Sequence, residues 1–425
     1  MTSNLFNSVG LEIRLNREEA SMPCRETAII EEASIRNIQQ SKEVAKYLGN
    51  GRDNSAHQLN NQQIFEMCNE WFKFILRGKI KEVEEFLPII ENNKDKIQAI
   101  GFSRMIDVHM LSYYVQKKMT DKAKIQYETL QHLFSSLKGT EIYYWFKFSG
   151  DYYYFLVAYS DAQNAYVQAE KMIEHDIGID IEEEMDLYYL RALTASRLKK
   201  THICFSYAEK ALTYYDKELH LVRIAECHIL LGIAYVRIGE PINAKEHYFT
   251  ALEIGERLNS RYILDLCNQN LGRLADKTLD YKNAVYYYTK CYQSHKNSDN
   301  EEELIPISSL MKAHYEQGDL KTAEKWLQKG INLSEKLKFS NSIYLYEFRV
   351  YYHLIKGFDD SFESLMLNEV IPFLQRRKLL YEEHIYLKIL ADYYFFEAKK
   401  YKLSANCYND ALHSLAKLKR KKVIS

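Results

Sequence analysis

A small or apolar residue returns along this chain at nearly constant spacing: Val83, Ala123, Ala165, Cys204, Ala244, Ala284, Ala323 and Ser404. Successive steps are 39 to 42 residues, and the last, 81, is two periods. Four residues after each marker stand Leu87, Tyr127, Ala169, Ala208, Tyr248, Tyr288, Leu327 and Tyr408. Three further on come Ile90, Leu130, Met172, Ala211, Ala251, Cys291, Gly330 and Ala411. Spacings of four and three keep residues on one face of a helix. Each period is thus a helical unit that cannot bury its apolar face alone, and the chain must fold by stacking such units. The double step leaves room for a diverged unit around Tyr344 to Leu365.

The clearest unit runs from Arg223 to Leu258, two amphipathic helices joined at Gly239-Glu240-Pro241. Gly ends the first helix, and Pro opens the second, where its missing N–H is harmless. Gly232 and Tyr235 share a face of the first helix; Ala244, Tyr248 and Ala251 share a face of the second. Small residues let the helices approach, and tyrosines fill the grooves between them. This pattern, repeated in Leu271-Gly272, Ala284, Tyr288 and Cys291, selects the tetratricopeptide repeat over the HEAT and armadillo alternatives of similar period. The expected fold is all-α: about nine helical pairs in a right-handed superhelix with a concave inner face, after a small N-terminal helical segment. In the first pair, Pro88 is expected to kink the second helix. Residues 1–60 read as the N-terminal segment, 61–135 as a helical bundle with the first repeats, and 136–425 as the ligand-binding repeat domain.

Composition narrows the function. A formal net charge of −1 gives no global attraction to nucleic acid or an anionic membrane. Seven cysteines without a C-x-x-C pair cannot form a full disulfide framework and read as buried reduced thiols. No secretory leader and no apolar run near 18 residues is present, so a cytoplasmic location is expected. Nucleotide, hydrolase and metalloprotease motifs are absent, and the 13 histidines are dispersed without a metal-type pairing to cysteine; no cofactor, metal or catalytic residue is expected. Glu182-Glu183-Glu184 reads as a solvent-facing loop, and the clusters Tyr152–Tyr154, Tyr286–Tyr288 and Tyr393-Tyr394 read as packing between helices. The basic end, Lys417 to Lys422, complements the dipole of the last helix.

An inner helical surface with few charges suits an extended peptide, whose exposed N–H and C=O groups an amide side chain can satisfy together. Candidates on first helices are Asn270, Gln269, Arg273, His228, Arg237, His314 and Arg349, with Asn268 beside them. Asn270 is the favoured member. Against it stands the reading in which Asn268 and Gln269 face water and Asn270 bonds a neighbouring helix.

The stretches LLGIAYVRIGEPINAKEHYFTALEIGERL and NQNLGRLADKTLDYKNAVYYYTKC resemble the peptide-pheromone receptors of Gram-positive bacteria, the Rap, NprR and PlcR group, over about residues 62–420. In that family, asparagines on first helices hold the backbone of a short imported peptide, and Asn270 matches that place. Some members carry a lambda-repressor-type helix-turn-helix, which Arg17-Glu18-Glu19, Met22, Glu26, Ala28 and Ile35 to Lys42 resemble in a worn form. About three residues are missing between Ala28 and Ile35, nearly a helical turn. Residues 1–60 hold seven Lys/Arg against eight Asp/Glu. If this segment meets DNA, Arg36 and Asn37 are the expected base contacts. A Rap-type helical bundle is similar to Asn69-Glu70-Trp71-Phe72 and to an active helix across Asp95 to Leu111, where the catalytic glutamine of the family falls on Lys96, with Gln98 nearby.

The expected protein is a peptide-sensing regulator that controls transcription or a response regulator, as a homodimer or higher oligomer. A response-regulator aspartate phosphatase or sequestering protein is the first alternative, and a plain protein-protein scaffold the second.

Overall fold

The computed structural model describes residues 59–175, 177–296, 301–337, 342–377 and 379–420. The worn helix-turn-helix, with Arg36 and Asn37, lies outside the described residues, as do Lys421 and Lys422. Helices and turns account for the described chain, and no strand occurs within it. Residues 59–74 and 81–100 belong to one compact unit; residues 75–80 and those from 101 onward belong to a second.

The first unit is built on α1 (Asn61–Leu76), α2 (Ile80–Asn92) and α3 (Lys94–Ala99). Trp71 is fully buried and donates its indole N–H to the Val83 carbonyl at 3.3 Å, and the Phe74 and Phe86 rings lie 5.7 Å apart. Pro88 sits inside α2, which continues to Asn92 before the chain restarts as α3. Asp95 to Leu111 is not one helix. A turn at Gly101, with φ +81°, separates α3 from α4, because a left-handed residue cannot continue a right-handed helix.

The second unit is the repeat array. Its pairs are α4 (Ser103–Gln116) with α5 (Thr120–Leu133), α6 (Thr140–Phe155) with α7 (Tyr159–Ile173), and α8 (Ile181–Arg197) with α9 (Thr201–Lys217). Next come α10 (Leu221–Ile238) with α11 (Pro241–Arg257), α12 (Arg261–Lys277) with α13 (Tyr281–His295), and α14 (Glu301–Glu316) with α15 (Leu320–Lys336). Then α16 (Ile343–Lys356) precedes a helical stretch, 361–376, that widens into a π-turn at Leu365–Val370. The last pair is α17 (Leu380–Asp392), with its own π-turn at Tyr393–Glu397, and α18 (Tyr401–Arg420).

The periodic markers are what hold each pair together. Ala123, Cys204, Ala244, Ala284 and Ala323 are fully buried, and Ser404 is 1% exposed. Gly239, at φ +90°, closes α10, and Pro241 occupies the first turn of α11. Asp180, Ser260, Asp280 and Asp319 cap α8, α12, α13 and α15 by accepting from N–H groups three residues on, each worth about 1 kcal/mol. Close approach is literal at three pairs. A Cβ at Gly150, Gly232 or Gly272 would lie 2.3–2.5 Å from a ring carbon of Tyr166, Tyr248 or Tyr288. The described cysteines are free; all are buried except the half-buried Cys407.

Within the acidic triplet Glu182 is exposed as expected, and Glu183 departs from that exposure. Glu182, Glu183 and Glu184 open α8, and Glu183 is 9% exposed because its carboxylate meets buried Lys147 on α6 at 2.7 Å. Lys147 also meets Asp186 at 2.9 Å; Arg223 on α10 joins Asp186 at 2.6 Å and Glu226 at 2.9 Å. Burial alone would lower the Lys147 ammonium, but Asp186 and Glu183 hold it well above its usual range. First helices of three successive pairs are therefore tied by buried charge.

Candidate functional site

The helix α12 begins at its Ser260 cap and carries Asn268, Gln269 and Asn270, 7%, 6% and 7% exposed. None of the three faces water, as the competing reading had it for Asn268 and Gln269. Gln269 donates its amide N–H to the Ser309 hydroxyl on α14 at 2.7 Å. Asn270 donates at 2.8 Å to the Leu266 carbonyl, one turn back in its own helix. The side-chain oxygens of Asn268 and Gln269 accept no hydrogen bond among the described residues. A buried unpaired carbonyl costs about 1–3 kcal/mol, so this stretch is poised to gain from a donor.

Beside it lies a cleft of about 200 Å³. Arg273 and Asp276 of α12, Ser308, Ser309 and Lys312 of α14, and Tyr344 of α16 line it; Tyr288 is its contribution from a second helix. Lys312 is neutralised in part by Glu347, at 2.5 Å, which also accepts from Ser308 at 2.6 Å. The cleft is thus a feature of first helices, three in succession.

A second basic feature sits at the ends of α8 and α10. Arg197 bonds the Tyr154 hydroxyl at 3.0 Å, and the Lys199 ammonium lies 4.7 Å above the Tyr381 ring of α17. Burial, then the nearby Arg237, pull Lys199 down to about 8, with Glu382 opposing and Arg273 and Arg197 adding to the fall. Burial also lowers the Arg237 guanidinium, one of whose terminal nitrogens has no hydrogen-bond partner among the described residues. Arg377 reaches the Leu156 carbonyl at 3.4 Å, so the last pairs return onto turns near the start of the array.

The structure brings together Gln269, Asn270 and Arg273, and sets Arg237 near Arg273 through Lys199. It does not bring in the other candidates. His228 pairs with His247 of its own hairpin, nitrogen to nitrogen at 2.7 Å, and burial followed by His247 lowers it to about 4. His314 faces Asp319 at 3.5 Å across the α14–α15 turn. Arg349 forms a two-point ion pair with Glu369, one contact at 2.8 Å, in a separate cleft of about 450 Å³ with Phe348, Tyr352 and His353. Ser309 and Lys312 of the cleft, and Lys199 beside Arg237 and Arg273, are candidates that sequence reasoning missed. Ser309 had a signal, since it follows Gln269 by 40 residues, one repeat.

Paired helices stacked on buried small residues define the class: a tetratricopeptide-repeat protein. The chain is 31% identical over 344 residues to the transcriptional activator NprA of Geobacillus stearothermophilus, an overlap of 80% of this chain and 84% of NprA. It belongs to the Rap/NprR group of quorum-sensing receptors. No family model matches the chain. The crystal structure of a Rap protein complexed with competence and sporulation factor matches with a TM-score of 0.75 at 20% identity, over 84% of this chain and 99% of that one. NprR in complex with its cognate peptide NprX matches with a TM-score of 0.69 at 16% identity, over 84% and 100%. Those two likenesses establish the shared fold. Among the described residues no helix is long and apolar enough to cross a membrane.

Proposed function

We propose that this chain is a cytoplasmic regulator that takes a short signalling peptide along the first helices of its repeats, centred on α12. Gln269, Asn270 and Arg273 would hold the peptide, with Arg237 at one side of it. The observation that carries this reading is the cleft beside Arg273, lined by first helices of three successive pairs and flanked by amides with unused acceptors. A terminal amide torsion is broad, so Gln269 and Asn270 can turn toward a peptide backbone at small cost. His228, His314 and Arg349 would have to exchange His247, Asp319 and Glu369 to take part. NprA is a transcriptional activator, and an equivalent output here would act through residues 1–60, with Arg36 and Asn37 as base contacts and a homodimer or higher oligomer as the acting form.

The phosphatase alternative draws less support. Lys96, at the place of the family's glutamine, donates to the Leu59 carbonyl at 2.6 Å, and an ammonium cannot accept a hydrogen bond from the attacking water as an amide does. Incubating the full chain with phosphorylated response regulators should leave the rate of phosphate loss unchanged; acceleration would establish the enzyme reading instead.

Affinity selection of the full chain against a library of short synthetic peptides, followed by calorimetry on the enriched sequence, tests the proposal. It predicts saturable one-site binding that an Arg273→Ala variant weakens. Enrichment of no sequence over a scrambled pool would overturn it and favour the plain scaffold.

A further inference from the structure

A second grouping on α12 and α13 plays no part in the cleft. On α13, Cys291 and His295 are four residues apart and so face the same way. Asp265 of α12 projects toward them. The carboxylate oxygen of Asp265, the Cys291 sulfur and a ring nitrogen of His295 all lie within 4.8 Å of one another, the one such grouping among the described residues. Asp265 and His295 are in contact at 2.9 Å, each with only 12–13% of its side chain exposed, and Cys291 is 3% exposed. Glu302, at the start of α14, stands 4.0 Å from the other ring nitrogen of His295.

We propose that Asp265, Cys291 and His295 form a binding site for a divalent transition-metal ion of the zinc type. One sulfur, one imidazole nitrogen and one carboxylate oxygen make a borderline-soft donor set. Three protein ligands leave a fourth tetrahedral position for water, while the Glu302 carboxylate, on the Nδ1 side of the ring, can accept the N–H of the ligating imidazole. On binding, the thiol S–H bond breaks, its proton leaves to solvent and the sulfur lone pair forms the bond to the metal; no oxidant or reductant is required. Asp265 exchanges its contact with His295 for the ion, and the Ser294 hydroxyl, 3.0 Å away, steadies the carboxylate from outside as supporting groups do. Arg261, 3.6 Å from Asp265, donates to the Ser294 hydroxyl at 2.8 Å and lies 3.5 Å from the His295 Nδ1; its side chain is 58% exposed, and it would leave these contacts for solvent as the ion enters, while the charge of Arg273 also reaches Cys291. A bound ion would clip α12 to α13, bracing the helix that presents Gln269 and Asn270.

Titrating the metal-free full chain with Co²⁺ under reducing conditions tests this, since cobalt reports both geometry and sulfur ligation. The proposal expects one equivalent to produce the visible bands of tetrahedral cobalt and a near-ultraviolet thiolate-to-cobalt charge-transfer band, both displaced by Zn²⁺. Cys291→Ser should abolish the charge-transfer band while Cys267→Ser keeps it. His295→Ala and Asp265→Asn should weaken Co²⁺ by about ten-fold or more, with the helical circular dichroism of each variant verifying the fold. A charge-transfer band that survives Cys291→Ser, or cobalt affinity indifferent to His295→Ala, would overturn the assignment.

Discussion

Asp151 illustrates how a single buried carboxyl can be read from its surroundings. Burial pushes it up to about 6, although the Tyr166 hydroxyl donates to it at 2.6 Å and Lys147 is near; Asp186 and Glu183 push the same way as burial. The folded protein therefore keeps this proton to a higher pH than the unfolded chain, where an aspartate titrates near ~3.9. Ionising it costs stability that is absent below about pH 4, grows up to about pH 6 and is constant above. Asp151→Asn should thus stabilise the protein by about 2–3 kcal/mol at pH 7 and by little near pH 4, measured by urea unfolding. An equal gain at both values would contradict the assignment. The site residues follow the same local logic. The place of Asn270 on a first helix, one residue before the buried Leu271-Gly272 pair, was legible from the repeat; its bond to the Leu266 carbonyl of its own helix was not. Ser309 and Lys312 were not, because a cleft between three helices is a property of packing that no single helix pattern encodes.

At the level of the helical pair, the sequence carried most of the design. Gly232 with Tyr248, Gly272 with Tyr288 and Gly150 with Tyr166 are the same device, a ring laid on a glycine sixteen residues earlier. Gly232→Ala would put a methyl 2.4 Å from a Tyr248 ring carbon and should cost about 1–3 kcal/mol in chemical unfolding. The second change Tyr248→Ala should recover part of the methyl's cost, and simple addition of the two losses would contradict the mechanism. Turns between paired helices were less legible. Gly239 and Gly318 supply the left-handed residue at two of them, but Lys118, Val157, Lys199 and Leu279 take the same conformation at others. Val157, at φ +62°, is β-branched where L-residues lose ~1–2 kcal/mol. Val157→Gly should therefore raise the unfolding midpoint, with a gain of about 0.5–1 kcal/mol after the entropy of the added glycine is counted. A lowered midpoint would place an unrecognised packing role on the valine side chain. Glu183 of the acidic triplet was misread for a related reason: its partner, Lys147, lies one repeat away, and a charge run by itself looks like solvent-facing surface.

For the repeat unit as a whole, the period predicted stacking, and stacking placed the first helices side by side. What the period could not predict is the return of the last pairs, through Arg377 to Leu156 and Tyr381 to Lys199. Stacking sets Lys199, Arg237 and Arg273 within reach of one another at the ends of successive first helices, and Tyr381 and Glu382 of the returning α17 face Arg237 and Lys199. A ligand of that region can shift the array between conformations only by its differential affinity for them. Calorimetry with the selected peptide reads out whether it sits on the first helices around α12. Asn270→Ala should weaken binding by ~1–3 kcal/mol, the cost of a peptide group left unpaired, while Lys282→Ala, exposed on the second helix α13, should leave affinity unchanged. Equal affinity of the wild type and Asn270→Ala would remove the peptide from Asn270 and from this face of α12.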